Sequence, residues 1–554
     1  MTPFLPDVAS LSLKEQVAQM VVVRASGYLF DHQIQYPDWE PKAEILQSWL
    51  QELGVGGVIL LGGSAGELAL RTQQLQTWAK IPLLMAADVE EGVGQRFSGA
   101  TWFPPPMALA AIAAQHPDLA EQYARQMGTI TAQEAQAIGL NWVLAPVVDV
   151  NNNSDNPVIN VRAFGEDPQI VSRLITAFIQ GVQQHPVLTA AKHFPGHGDT
   201  VVDSHLELPV LNHSLERLQQ VEIPPFAAAI AAGVDSVMSA HLQIPTLDPN
   251  YPATLSFRIL TQELRQKLGF EGLIVTDALV MGAIANCYGA NHAAVLAVEA
   301  GADILLMPGD PVGAVEAVCE AVEAGRISAE RVQTSVERIW KAKQKVGSPL
   351  FQAETPHAWE NQISVIETQS LASLLAQPEA AIAVGNILQN SMRVHHAAAF
   401  QLNRSEQQKA YRNLIVVDDG LNCDFLGRQA PAIAVPQTLG YQLQLIDSHT
   451  PEVVQRTESR EETPTLLQLF IRGNPFRGSA GLTQTAKDWF QFLLNSEQLH
   501  ALIIYGSPYI LEKFLPGLPE QIPYVFTYGQ MHEAQAIALE ALLAGGREQV
   551  AAKG

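Results

Sequence analysis

Residues 188–206 read LTAAKHFPGHGDTVVDSHL: a short apolar run, then a segment whose proline and glycines forbid a helix and which holds three histidines, two aspartates and a lysine. An apolar run that ends abruptly in titratable groups is the form of a buried parallel strand emerging from a core. The form recurs over the first 345 residues, at MVVV from 20, GVILL from 57, PLLMAAD from 82, NWVLAPVVD from 141, SVMSAH from 236, GLIVTD from 272 and ADILLMP from 302. With the run at 188 that makes eight. The segments between, such as Pro117 to Ile138 and Leu215 to Ala232, carry helical spacing and strong helix formers. Strands alternating with helices predict a parallel sheet covered on both faces, and a (β/α)8 TIM-type barrel is its simplest closure. Many runs close on a polar residue: Asp88, Asp149, His193, His241 and Asp277. Acids in such places also serve as helix N-caps. In a barrel, however, these ends converge on the one face where active sites are built.

The pattern lapses at VGSPLFQAETPHAWENQ, so residues 346–370 read as a linker between a barrel at 1–345 and a second domain at 371–554. There AAIAVGN at 380, NLIVVDDG at 413, LQLFIRG at 467, HALIIYGSP at 500 and IPYVFTYG at 522 predict a smaller open α/β domain, an αβα sandwich of about five strands.

Composition narrows the function. With 47% hydrophobic and 16% charged residues the chain is neither disordered nor fibrous. Its net charge of -23, without a run of Lys or Arg, argues against nucleic acid or an anionic membrane as partner. Cys287, Cys319 and Cys423 are scattered and suggest neither disulfides nor a thiolate metal site. The opening MTPFLPDVASLSLKEQVAQM lacks the basic start and apolar core of a secretory signal, and no apolar run reaches about 18 residues. The expectation is a soluble, cytoplasmic protein.

The histidine-rich segment admits three readings. His193, His197, Asp199, Asp203 and His205 are types that ligate Zn, Fe or Mn, but HFPGH is broken by proline and glycine, so the i,i+4 face of a helical zinc motif is absent. A polar loop whose histidines satisfy backbone groups is the second. The third is acid/base chemistry: Asp203 accepting from one nitrogen of His205 would fix its tautomer and leave the other nitrogen to exchange a proton.

KHFPGHGDTVVDSH resembles the signature loop of family 3 glycoside hydrolases, in the bacterial β-N-acetylglucosaminidase (NagZ-type) branch. The resemblance implies an Asp203–His205 acid/base dyad. AADVEEGVGQRF is similar to the segment that carries a sugar-binding aspartate and arginine, here Asp88 and Arg96; NVRAFGEDP implies a sugar-contacting Arg162. LIVTDALVMGAI resembles the nucleophile segment and implies Asp277, with YPATLS at 251 fitting the pattern upstream. Lys192 and His193 are further residues of the right type for sugar hydroxyls, which favour charged partners in a concave site. Two positions depart from the pattern: Glu91 stands where D-x-E-G-G has glycine, and Ala163 where R-x-F-G commonly has serine.

Retaining hydrolysis needs a carboxylate nucleophile and a proton donor, usually two carboxyls about 5 to 5.5 Å apart. The resemblance replaces the second by His205, a neutral base that would not repel an anionic acceptor such as phosphate. The expectation is a retaining exo-β-N-acetylglucosaminidase that removes terminal GlcNAc from small carbohydrate fragments, muropeptides among them, with no metal or cofactor and nothing catalytic from the second domain. A β-glucosidase, a metal-dependent hydrolase and a non-catalytic sugar-binding protein are the alternatives.

Overall fold

The computed structural model describes residues 5–200, 207–347, 371–396, 411–421, 423–450, 463–472 and 480–551. The chain divides into two compact units, Met1–Phe103 with Ala113–Ala381, and Pro104–Ile112 with Ile382–Gly554.

The eight predicted runs of the first unit are all strands: β1 (Val21–Ser26), β2 (Gly57–Leu61), β3 (Leu84–Ala87), β4 (Trp142–Val143), β5 (Ala190–Phe194), β6 (Ser236–Ser239), β7 (Leu273–Val275) and β8 (Leu305–Leu306). They pair in parallel in two arcs, β4-β3-β2-β1-β8 and β5-β6-β7. Parallel bridges Trp142↔Leu188 and Val275↔Ile304 join the arcs, so each strand neighbours the next in sequence and the ring closes. Nearly every strand residue is buried, which is why the sequence shows continuous apolar runs rather than alternation. The interior layers interlock across strands: the fully buried Trp142 on β4 donates its indole N–H to Ser236 Oγ on β6, at 3.1 Å.

Helices return the chain between strands, and their starts are legible locally. In the helix Pro168–Val182, Asp167 accepts from the N–H groups of Gln169 and Ile170, and Pro168 opens the first turn. At the opposite end of the barrel the buried Asp303, just before β8, takes Arg265 at 2.6 Å, Arg338 at 3.1 Å and Ser335 Oγ at 2.6 Å. It also accepts the N–H of Ile274 on β7 at 3.0 Å, so one carboxylate anchors the strand pair that closes the ring.

The second unit holds a six-stranded sheet in the order β11-β10-β12-β13-β14-β9. Its strands are β9 (Arg393–His395), β10 (Tyr411–Val416), β11 (Tyr441–Ile446), β12 (Thr465–Ile471), β13 (Leu499–Gly506) and β14 (Tyr524–Thr527), parallel except for β9. Helices Pro431–Thr438 and His532–Ala551 share one apolar cluster with Ile415, Phe470, Ile503 and Val525.

Two expectations are corrected here. The run at 380 is not a strand: it lies in the helix Pro378–Ser391, whose buried Ala380, Ala383, Val384, Ile387 and Leu388 follow the 3.6-residue period. Six strands replace the expected five because the edge strands β9 and β11 are short or half exposed and give little apolar signal. Of the predicted linker, Val346 and Gly347 end the helix Ala329–Gly347, and 348–370 lie outside the described residues.

Candidate active site

The C-terminal ends of β3, β4 and β5 bring five charged residues into one network. Lys192, with 2% of its side chain exposed, places Nζ 2.7 Å from Asp88 Oδ1 and 2.6 Å from Glu90 Oε1. Glu90 in turn accepts from Arg162 through Nε at 2.8 Å and Nη2 at 2.7 Å, and Arg162 Nη1 donates to the Val158 carbonyl at 2.9 Å. Arg96, an exposed residue, donates Nε to the Asp88 carbonyl at 3.0 Å. Two buried cations therefore face two carboxylates.

Burial works against the charges of Glu90, Lys192 and Arg162. It pushes the Glu90 carboxyl up, but Arg162 and Lys192 overcome it and hold Glu90 well below the usual carboxylate range. Burial pulls Lys192 and Arg162 down, and the facing carboxylates, Asp88 and Glu90, leave both raised. Glu90, Lys192 and Arg162 are therefore held in their charged forms at neutral pH, and together with Asp88 they make a suitable wall for an uncharged polyol that needs strong directional hydrogen bonds.

A second cluster folds the histidine segment back on the barrel. Buried Asp149, past the end of β4, accepts from the N–H of His193 at 3.2 Å, from His193 Nδ1 at 2.8 Å and from the N–H of His197 at 2.7 Å. Burial raises the Asp149 carboxyl, and His193 and His197, whose donors it accepts, bring it below its ordinary value. With Nδ1 held by Asp149, the His193 tautomer is set and Nε2 is left for other partners. His197 shares a 2.8 Å hydrogen bond between Nδ1 and Thr200 Oγ1, and burial lowers its pKa to about 4 against the pull of Asp149, so the ring is neutral. Asn156 donates to the carbonyls of His197 and Gly198, both at 2.9 Å. A Cβ on Gly198 would stand 1.7 Å from the Val150 carbonyl, so only glycine permits this close approach.

Asp277 stands just past β7 on the same face, half-buried, with Oδ1 accepting from the N–H of Ala278 at 2.7 Å. Its charge reaches the buried His197. Fully buried His241, past β6, donates Nε2 to the Ala278 carbonyl at 3.0 Å and pairs Nδ1 with Thr254 Oγ1 at 2.8 Å. The Ala278 carbonyl is thus gripped by His241, just past β6, whose ring is held in turn by Thr254 of the YPATLS segment.

Of the residues expected from sequence, Asp88, Arg96, Arg162, Lys192 and His193 meet around Glu90 and Asp149, and Asp277 shares their face. Asp203 and His205 lie outside the described residues. Among the described residues no group of three His, Cys, Asp or Glu side chains comes together as a metal-ligand set. Sequence reasoning gave no role to Glu90, Asn156 or His197 beyond the ligand set it considered for the last. The signal for Glu90 was its place two residues after Asp88, which puts both on one side of an extended chain.

Residues 12–342 match the family model described as Glycosyl hydrolase family 3 N terminal domain, and residues 404–544 the Bacterial Glycosyl hydrolase family 3 C-terminal domain. Beta-hexosaminidase A of Pseudoalteromonas piscicida is 35% identical over 332 residues, 54% of this chain and 55% of that protein. The beta-hexosaminidase of Nitrosomonas eutropha is 36% identical over 295 residues, 51% of this chain and 84% of that protein. The matched region thus spans only about half the length of the first relative. Among solved structures, a glycoside hydrolase family 3 beta-N-acetylglucosaminidase from Paenibacillus sp. str. FPU-7 superposes with a TM-score of 0.76 at 29% identity, covering 97% of each chain.

Proposed function

The chain belongs to glycosyl hydrolase family 3, and from that premise we propose that it is a retaining exo-β-N-acetylglucosaminidase acting on GlcNAc-terminated glycosides, small cell-wall fragments among them. The observation that carries the reading is the ion-pair network of Lys192, Asp88, Glu90 and Arg162 on the same C-terminal face of the barrel as a half-buried Asp277. The names of the relatives, beta-hexosaminidases and a beta-N-acetylglucosaminidase, support the choice of sugar.

In this mechanism the Asp88 carboxylate, with 35% of its side chain exposed, and the Lys192 ammonium hold hydroxyls of the terminal sugar. Arg162, Arg96 and His193 complete the polar wall. Fixing the ring in this way converts attack by Asp277 into an intramolecular step. The Asp277 carboxylate forms a bond to the anomeric carbon as the glycosidic bond breaks, and His205, in its protonated form and oriented by Asp203, gives its proton to the leaving oxygen. The neutral imidazole then takes a proton from water, which displaces Asp277 and restores the carboxylate. The positive charge that grows on the ring faces a carboxylate that is close and incompletely solvated, where Coulomb attraction is stronger than in water.

The test is hydrolysis of nitrophenyl β-GlcNAc beside nitrophenyl β-glucose by wild type, Asp277→Ala and His205→Ala, with chelator present. The expected result is a GlcNAc preference, lost activity in both variants and indifference to the chelator. Glucose preference would overturn the specificity, and full activity in His205→Ala would overturn the dyad.

A further inference from the structure

Beside the Asp149 cluster, four charged or titratable side chains meet that the chemistry above does not use. His213 Nε2 stands 3.2 Å from Asp199 Oδ2, and Arg217 Nη2 stands 4.0 Å from the same oxygen. Arg217 also donates Nε and Nη2 to Glu222 Oε1, at 3.2 and 3.1 Å. Glu222 is 3% exposed, whereas the side chains of Asp199 and His213 are 28% and 19% exposed. Residues Leu218–Glu222 wind as a π-helix, and the five-residue spacing of such a turn brings Arg217 and Glu222 to one side. Glu222 packs under the HFPGH turn: a Cβ on Gly196 would stand 2.8 Å from Glu222 Cβ.

These residues join two stems of chain, each fastened to the barrel separately. On the outgoing stem, Asn156 holds the carbonyls of His197 and Gly198, and Thr200 Oγ1 lies 2.8 Å from His197 Nδ1. On the returning stem, Gln243 donates its N–H to the Pro209 carbonyl and accepts from the N–H of Leu211, both at 2.9 Å. Thr246 Oγ1 donates to the His213 carbonyl at 2.6 Å. The contact of Asp199 with His213 ties one stem to the other, and Asp203 and His205 lie between them in sequence. A tie of this kind lowers the number of arrangements open to the chain it encloses. Half-exposed charge pairs add little to stability, so the effect to look for is geometric. A general acid must stand within hydrogen-bond reach of the leaving oxygen, and a small misplacement costs a large factor in rate.

We propose that Asp199 and His213, braced by Arg217 and Glu222, are positioning residues for the acid/base pair Asp203 and His205. The proposal rests on the glycosidase reading and its dyad. It is tested by how far the rate depends on the leaving group. 2,4-Dinitrophenolate leaves without a proton, whereas methoxide needs one, and kcat/KM reports the step in which the glycosidic bond first breaks. The ratio of kcat/KM for methyl β-GlcNAc to that for 2,4-dinitrophenyl β-GlcNAc therefore follows the placement of the acid. It is measured in wild type, His205→Ala, Asp199→Ala, His213→Ala and His213→Gln, with thermal denaturation to check that each variant is folded.

In His205→Ala the ratio falls roughly a hundredfold or more, the contribution of a general acid. In Asp199→Ala and His213→Ala it falls roughly ten- to thirtyfold, and in His213→Gln, whose amide can reach Asp199 in place of the ring, it returns to within about threefold of wild type. Alanine variants that lose activity equally on both substrates, or on neither, show a merely structural contact and overturn the proposal. A wild type that cleaves neither glycoside, or a ratio unchanged in His205→Ala, sinks the glycosidase reading or its dyad and the proposal with it. A ratio that falls in His205→Ala alone sinks the proposal and leaves that reading standing.

Discussion

Replacing Glu90 by glutamine removes one charge from the buried network and little else. Glu90 takes hydrogen bonds from Lys192 at 2.6 Å and from Arg162 at 2.7 and 2.8 Å. In Glu90→Gln the two buried cations keep only Asp88, whose side chain is 35% exposed, and repel each other across the gap. Breaking one side of a buried ion pair costs about 3 to 5 kcal/mol, mostly through the uncompensated charge left behind. Glutamine still offers one acceptor, so a loss of about 3 kcal/mol in urea unfolding at pH 7 is expected. Adding Lys192→Met removes the stranded cation. The double variant should then be more stable than the sum of the single losses predicts, by about 1 to 3 kcal/mol, as neighbours in one network are coupled.

The pH dependence has a definite sign. Glu90 sits below its unfolded value, so its contribution is present above about pH 4.3 and is lost as pH falls through the folded value. Lys192 sits above its own, so its contribution is present below about pH 10.4 and lost as pH rises through the folded value. The difference between wild type and Glu90→Gln should therefore be flat between those limits and shrink in acid. A Glu90→Gln protein within about 0.5 kcal/mol of wild type, the range of an ordinary surface change, would refute the network argument.

Two further outcomes follow from the geometry. The His197 ring, lowered to about 4, favours the native state when neutral, so its contribution is full above about pH 6.5 and on the order of 3 kcal/mol is lost as pH falls toward 4; NMR of the ring should show no titration between pH 5 and 8, and an ordinary histidine titration would contradict its burial. His241→Ala frees the Ala278 carbonyl that fixes the peptide after Asp277, so kcat for nitrophenyl β-GlcNAc should drop roughly ten- to a hundredfold with KM nearly unchanged, and a variant that loses only KM would place His241 at the substrate instead.

What the sequence determined by itself is the part of the fold written in local pattern. Eight apolar runs marked eight strands because a barrel strand buries both faces, and Asp88, Asp149, His193, His241 and Asp277 marked their ends because a chain leaving the core turns polar there. Family motifs then pointed to Asp88, Arg96, Arg162 and Asp277, which the fold brings to the C-terminal face of the barrel. Where periods competed, local pattern failed: AAIAVGN looks like a strand by composition, yet its buried residues repeat as a helix. Tertiary structure decided the pairings. Glu90 meets Arg162 from 72 residues away, Lys192 meets Asp88 from 104, and Trp142 meets Ser236 from 94. No periodicity encodes such partners, because they depend on ring closure carrying the ends of β3, β4 and β5 to one place. Whether Glu90 is a surface acid or the hub of a buried network is fixed by that convergence and the desolvation it imposes, and desolvation belongs to the folded neighbourhood rather than to the residue.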